Sequence, residues 1–190
     1  MQHLSHPHLP TIDEDFRNNR CVVRTPPTKF YLNLTERCPL RCLHCITEAP
    51  LRTQNKTARD ITPEVLDALF PYLTNATYIG LAHAGEPLAS PHLVPLLNKL
   101  HKQGPYQFRT IHLLTNGLLL SPERFISLTE KGVNSWSFSV DGMKPTSHDA
   151  LRINSKINSL LPKIRTISAI RQERFPHVRM GIAWTITRTN

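Results

Sequence analysis

The chain has 190 residues, 39% hydrophobic and 7% aromatic, with 16 prolines and a formal net charge of +9 from 23 Lys and Arg against 14 Asp and Glu. That length suits one folded domain with long polar loops, and more than one is not expected. No run approaches the ~20 apolar residues of a membrane-spanning helix, and His3, His6 and His8 break any signal-like core near the start; the expectation is a cytoplasmic protein that does not enter a membrane.

Met1 to about Pro27 mixes His, Pro, Asp and Arg without apolar periodicity and reads as an irregular extension, residues 1–27, ahead of a core at 28–190. From there strands and helices alternate. Lys29–Thr35 reads as a strand, followed by a loop in which three cysteines fall within eight residues, Cys38 to Cys45. Thr62 and Pro63 open a helix to Leu73, and Tyr78–Ala82 is the second strand. Ser90 and Pro91 open a helix to Lys102 before a strand at Thr110–Leu114, and Ser121 caps Pro122–Lys131 before the strand Ser135–Val140. Ile157, Leu160, Leu161, Ile164, Ile167 and Ile170 form a helical stripe that Pro162 is expected to kink or start, and Met180–Thr187 is the fifth strand.

Such alternation predicts an α/β fold with a parallel sheet and right-handed crossovers, either doubly wound or part of a barrel. In both architectures the working face lies at the carboxyl ends of the strands. The unusual residues fall there: the cysteines after the first strand, Gly85-Glu86-Pro87 after the second, Thr115-Asn116-Gly117 after the third and Asp141-Gly142 after the fourth. Four loops are therefore expected to converge on one mouth.

Mutual disulfides within Cys38–Cys45 would be strained, so a metal or cluster site is the better reading. Soft thiolates suit an iron–sulfur cluster or zinc. A closed zinc site needs a fourth ligand, which only Cys21, His44 or a distant histidine could supply. Cys21 itself reads as an ordinary buried or surface thiol. Gly85-Glu86-Pro87, Asn116-Gly117 and Asp141-Gly142 are also ordinary turn sequences, and Arg152 an ordinary surface arginine, when each is taken alone.

Taken together these segments resemble the radical S-adenosylmethionine enzymes. Cys38-Pro-Leu-Arg-Cys42-Leu-His-Cys45 is similar to the family's C-x3-C-x2-C loop after the first strand, with His44 in the place of an aromatic residue before the last cysteine. Ala84-Gly85-Glu86-Pro87 is similar to its Gly-Gly-Glu-Pro segment, with Ala84 adding one methyl where the first glycine usually stands. Asn116, Ser139, Asp141 and the arginine of His148-Asp-Ala-Leu-Arg152 fall where its peptide-modifying (SPASM-type) and molybdenum-cofactor branches have comparable residues.

The resemblance implies that Cys38, Cys42 and Cys45 ligate three irons of a 4Fe-4S cluster and that the fourth iron chelates S-adenosyl-L-methionine. His44, Ala84, Gly85, Glu86, Pro87, Asn116, Ser139, Asp141 and Arg152 are implied to bind that second cofactor, Glu86 through its ammonium and Arg152 through its carboxylate. It further implies a flavodoxin- or ferredoxin-type electron donor, oxygen sensitivity and a substrate that is a peptide or protein. The implied fold is a partial (βα) barrel that stops after the fifth of six strands. A cluster-binding regulatory protein and a zinc-stabilised interaction module are the alternatives.

Charge adds one more expectation. Nine basic residues against Asp149 and Glu173 lie between Lys144 and Asn190, read as a solvated helix face with scattered surface charge. Nucleic acid or another acidic partner is the alternative reading.

Overall fold

The computed structural model describes residues 12–22, 26–82, 84–103, 109–188 and 190. Helix α1 (Ile12–Arg17) lies in the segment expected to be irregular. The core then runs β1 (Lys29–Leu32), β2 (Arg41–Cys42), α2 (Ala49–Gln54), α3 (Pro63–Leu73), β3 (Tyr78–Leu81), a 3-10 turn at Pro87–Ala89, and α4 (Leu93–His101). It continues through β4 (Thr110–Thr115), α5 (Pro122–Glu130), β5 (Ser135–Ser139), α6 (His148–Leu151), β6 (Arg152–Ile153), α7 (Ile157–Arg174) and β7 (Arg179–Ala183).

Five of the strands form one parallel sheet in the order β1-β3-β4-β5-β7, so each crossover moves one place in the same direction. With crossovers of one hand, that order keeps the intervening helices on a single face. Among the described residues the sheet is open, with β1 and β7 at its edges, and does not close into a barrel.

Register explains the two faces. Leu32, Leu81, Leu113, Trp136 and Met180 lie side by side across the sheet. They pack with Leu97, Leu100, Phe125, Leu160 and Ile167 of the helices into one core. Phe125 meets Trp136 with ring centroids 5.0 Å apart. Each such buried aliphatic or aromatic side chain contributes about 1.5–3 kcal/mol. One residue earlier the row reads Tyr31, Gly80, His112, Ser135, Arg179, small or polar and on the opposite face because side chains alternate along a strand.

Helix starts follow the capping chemistry, since the Thr62 hydroxyl accepts the Val65 N–H and the Ser121 hydroxyl that of Arg124. Helix α4 begins at Leu93 instead of Pro91, because the Ser90 hydroxyl bonds the His92 N–H and the Leu34 carbonyl and holds the chain in a turn first. Pro162 neither starts nor ends α7, which runs through it. One lost hydrogen bond near the first turns is offset by burial of Leu160, Ile164 and Ile167. Strand β7 ends at Ala183, short of Thr187, because the Thr185 N–H turns to Asp141 Oδ1 at 2.9 Å.

Candidate cofactor site

Three long-range ties shape the cysteine loop. Arg41–Cys42 pairs antiparallel with Arg152–Ile153, placing Cys42 opposite Arg152. The Leu43 N–H reaches the Leu151 carbonyl at 2.9 Å, and the Cys38 N–H reaches the Thr53 hydroxyl at 3.0 Å. From the other side the Glu86 N–H bonds the Arg37 carbonyl at 2.7 Å. Gly85 makes that approach possible: it has φ +65°, and a Cβ there would lie 2.3 Å from the Thr35 carbonyl oxygen and 2.7 Å from that of Arg37.

The thiols of Cys38, Cys42 and Cys45 border a cavity of about 360 Å³. His44, Gly85, Glu86, Pro87, Asn116, Ser139 and Arg152 line it as well, so the first three strand-end loops converge there, while the fourth strand contributes Ser139 at its end and not the Asp141-Gly142 turn. Leu40, Ile46, Thr47, Ala49, Ala82, Leu114 and Thr185 complete the wall with Thr115 of the third strand-end motif; sequence position singled out none of the first seven as ligand contacts. Ala84 and Asp141, expected to touch a ligand, are not in the lining. Ala84 donates its N–H to Asn33 Oδ1 at 2.8 Å. Asp141 is fully buried behind the wall, its Oδ2 2.5 Å from Arg152 Nε and 3.2 Å from His44 Nε2. Cys21 is exposed and lies outside the site.

Glu86 is 1% exposed, and both its oxygens accept from the chain: Oε1 from the Thr115 hydroxyl at 2.8 Å and the Leu88 N–H at 3.2 Å, Oε2 from the Asn116 N–H at 2.8 Å. Burial pushes its pKa above the ordinary value, and these donors, with Arg124, work against that rise. Its side chain therefore ties the end of β4 to the turn after β3.

Burial pushes the Cys38 thiol up to about 11 and raises Cys42 as well, the latter opposed by the Arg152 charge. Each sulfur has a polar neighbour: Asn116 Nδ2 is 3.7 Å from Cys38 Sγ, Arg152 Nη1 3.8 Å from Cys42 Sγ, and Thr47 Oγ1 3.4 Å from Cys45 Sγ. Among the described residues no three His, Cys, Asp or Glu side chains converge on a single ion. A cubane cluster asks for something different, since each thiolate binds its own iron. The three-thiol rim fits that group, and among the described residues His44 Nδ1, a buried polar atom on the loop between Cys42 and Cys45, has no hydrogen-bond partner.

The family model of the radical SAM superfamily matches residues 32–185. The chain belongs to the radical SAM superfamily. It is 27% identical over 165 residues to a tungsten-containing aldehyde ferredoxin oxidoreductase cofactor-modifying protein of Pyrococcus furiosus, an alignment covering 85% of this radical SAM chain and 44% of that protein. It is 32% identical over 130 residues to PqqA peptide cyclase of Rhizobium meliloti, covering 66% of this chain and 32% of the cyclase. Among solved structures, Streptococcus suis SuiB bound to precursor peptide SuiA shares the fold with a TM-score of 0.65 at 12% identity, over 94% of this chain and 36% of that one. This radical SAM chain thus spans less than half the length of these relatives.

Proposed function

We propose that this chain is the radical SAM core of an enzyme that holds a 4Fe-4S cluster on Cys38, Cys42 and Cys45 and takes S-adenosyl-L-methionine into the adjoining cavity. The observation that carries the reading is the convergence of three thiols with His44, Gly85, Asn116, Ser139 and Arg152 on one cavity at the carboxyl ends of a parallel sheet. When bound, the reduced cluster supplies reductive cleavage of the sulfonium to methionine and a 5′-deoxyadenosyl radical for hydrogen abstraction. Three cysteines supply three ligands, and Cys21, exposed elsewhere, is not the fourth.

The chain's own groups bind and orient. His44 Nδ1 and the Ser139 hydroxyl offer hydrogen-bonding partners, Arg152 a positive charge suited to a carboxylate, and Gly85 a close backbone approach. Leu40, Ala82 and Leu114 give an apolar wall that helps exclude water. The reading calls for an external electron donor of flavodoxin or ferredoxin type. A peptide or protein substrate is supported by the similarity to PqqA peptide cyclase, and a cytoplasmic location suits thiols that must stay reduced.

Anaerobic reconstitution followed by iron and sulfide analysis tests the reading. About four iron atoms per chain are expected, lost on Cys38→Ala, Cys42→Ala or Cys45→Ala and kept in Cys21→Ala. S-adenosylmethionine should also perturb the electron paramagnetic spectrum of the reduced cluster. Full iron in any of the three loop variants, or an unchanged spectrum at saturating S-adenosylmethionine, would sink the assignment.

A further inference from the structure

Two of the three loop sulfurs receive a side-chain N–H from a residue that a buried carboxylate holds in place, through its backbone in one case and its side chain in the other. Asn116 is the first donor. Its backbone N–H is fixed by Glu86 Oε2 at 2.8 Å, and its Oδ1 accepts the Leu118 N–H at 2.9 Å. That second bond settles the amide's orientation: the oxygen must face Leu118, so the NH2 group faces Cys38 Sγ at 3.7 Å.

Arg152 is the second donor, and a guanidinium has no acceptor, so its Nη1 can only donate to Cys42 Sγ at 3.8 Å. Its Nε is held by Asp141 Oδ2 at 2.5 Å. Asp141 is in turn fixed by the Thr185 N–H on Oδ1, and His44 Nε2 lies 3.2 Å from its Oδ2. Neither carboxylate is a bystander: Glu86 is 1% exposed and Asp141 0%, Glu86 accepts from the turn at Leu88 and from Thr115 and Asn116 at the end of β4, and Asp141 accepts from Arg152 and from Thr185 after β7.

We infer that Asn116 and Arg152 tune the reduction potential of the cluster by donating N–H to the Cys38 and Cys42 thiolates, with Glu86 and Asp141 as the positioning residues that aim them. The inference rests on the reading that the three cysteines ligate the cluster. An N–H donated to a ligand sulfur stabilises the form with more electron density on the sulfurs, which is the reduced one, and so raises the potential. This gives both donors a role before S-adenosylmethionine arrives. It also assigns Glu86, whose two oxygens are already taken by the chain, to holding β4 against the loop.

The test is a redox titration of the reconstituted holoprotein, followed by electron paramagnetic resonance and done without S-adenosylmethionine, so that lost cofactor contacts play no part. Asn116→Leu removes a neutral donor of similar size, and Arg152→Lys keeps the charge but not the planar fork. Both are expected to bind a full complement of iron and to titrate at a lower potential than the wild type. Resonance Raman spectra of the wild type in H2O and D2O give a second reading that needs no variant: the Fe–S(Cys) stretches should shift on exchange. Wild-type potentials in both iron-replete variants, or stretches indifferent to D2O, would overturn the inference while leaving the cluster assignment standing. A wild type that binds no iron would overturn both.

Discussion

Gly85→Ala is expected to cost about 2–5 kcal/mol and to impair cluster binding, although it adds a single methyl group. Gly85 sits at φ +65°, where an L-residue loses about 1–2 kcal/mol. The new Cβ would also lie 2.3 Å from the Thr35 carbonyl oxygen, 2.7 Å from that of Arg37 and 2.9 Å from the Glu36 carbonyl carbon. All three are backbone atoms, so no side chain can swing aside. Overpacking of this kind adds about 1–3 kcal/mol. Relief requires residues 35–37 to move away, which breaks the 2.7 Å bond from the Glu86 N–H to the Arg37 carbonyl and displaces the adjoining Cys38. Against a typical net stability of about 5–15 kcal/mol this is a large fraction. Urea unfolding of the apoprotein measures the first effect and iron content after reconstitution the second. Ala84→Gly is the control, expected to stay within about 1 kcal/mol of the wild type. A Gly85→Ala protein with the wild-type urea midpoint and full iron would refute the reasoning.

Asp141→Ala strands Arg152, whose side chain is only 11% exposed, and should destabilise the apoprotein by about 3–5 kcal/mol; an unchanged urea midpoint would show that the buried pair contributes nothing net. Acid should weaken the fold through His148, which is fully buried, accepts the Asp141 N–H on Nδ1 and bonds Ser155 through Nε2. Burial first, then the Arg152 charge, hold its pKa below the ordinary 6.5. Below that value the unfolded chain takes up a proton that the folded chain refuses, so this contribution is present above pH 6.5 and is lost as pH falls toward the lowered folded value. The melting temperature is therefore expected to drop between pH 7.5 and 5.5, and to drop less in His148→Gln; equal drops in the two proteins would exclude His148 as the cause.

Local chemistry in the chain was enough to place the three loop cysteines, the caps at Thr62 and Ser121, the five sheet strands in order and the loops at their carboxyl ends. These are short-range patterns: ligand spacing, capping geometry and periodicity each depend on neighbours within a few residues. Strand ends were less legible, because Thr35 leaves β1 to bridge Asp60 and Thr185 leaves β7 to bond Asp141, partners far away in sequence. The short pairing of Arg41–Cys42 with Arg152–Ile153 had no periodic signature at all. The division of labour among the polar residues also belonged to the tertiary structure. Glu86, Asn116, Asp141 and Arg152 could be listed from motif positions, but only the packed sheet brings Glu86 onto Asn116 across 30 residues and Arg152 onto Cys42 across 110. A carboxylate read alone can face a ligand or a neighbour, and burial decides which, because a buried charge must find its donors among the groups that the fold delivers to it.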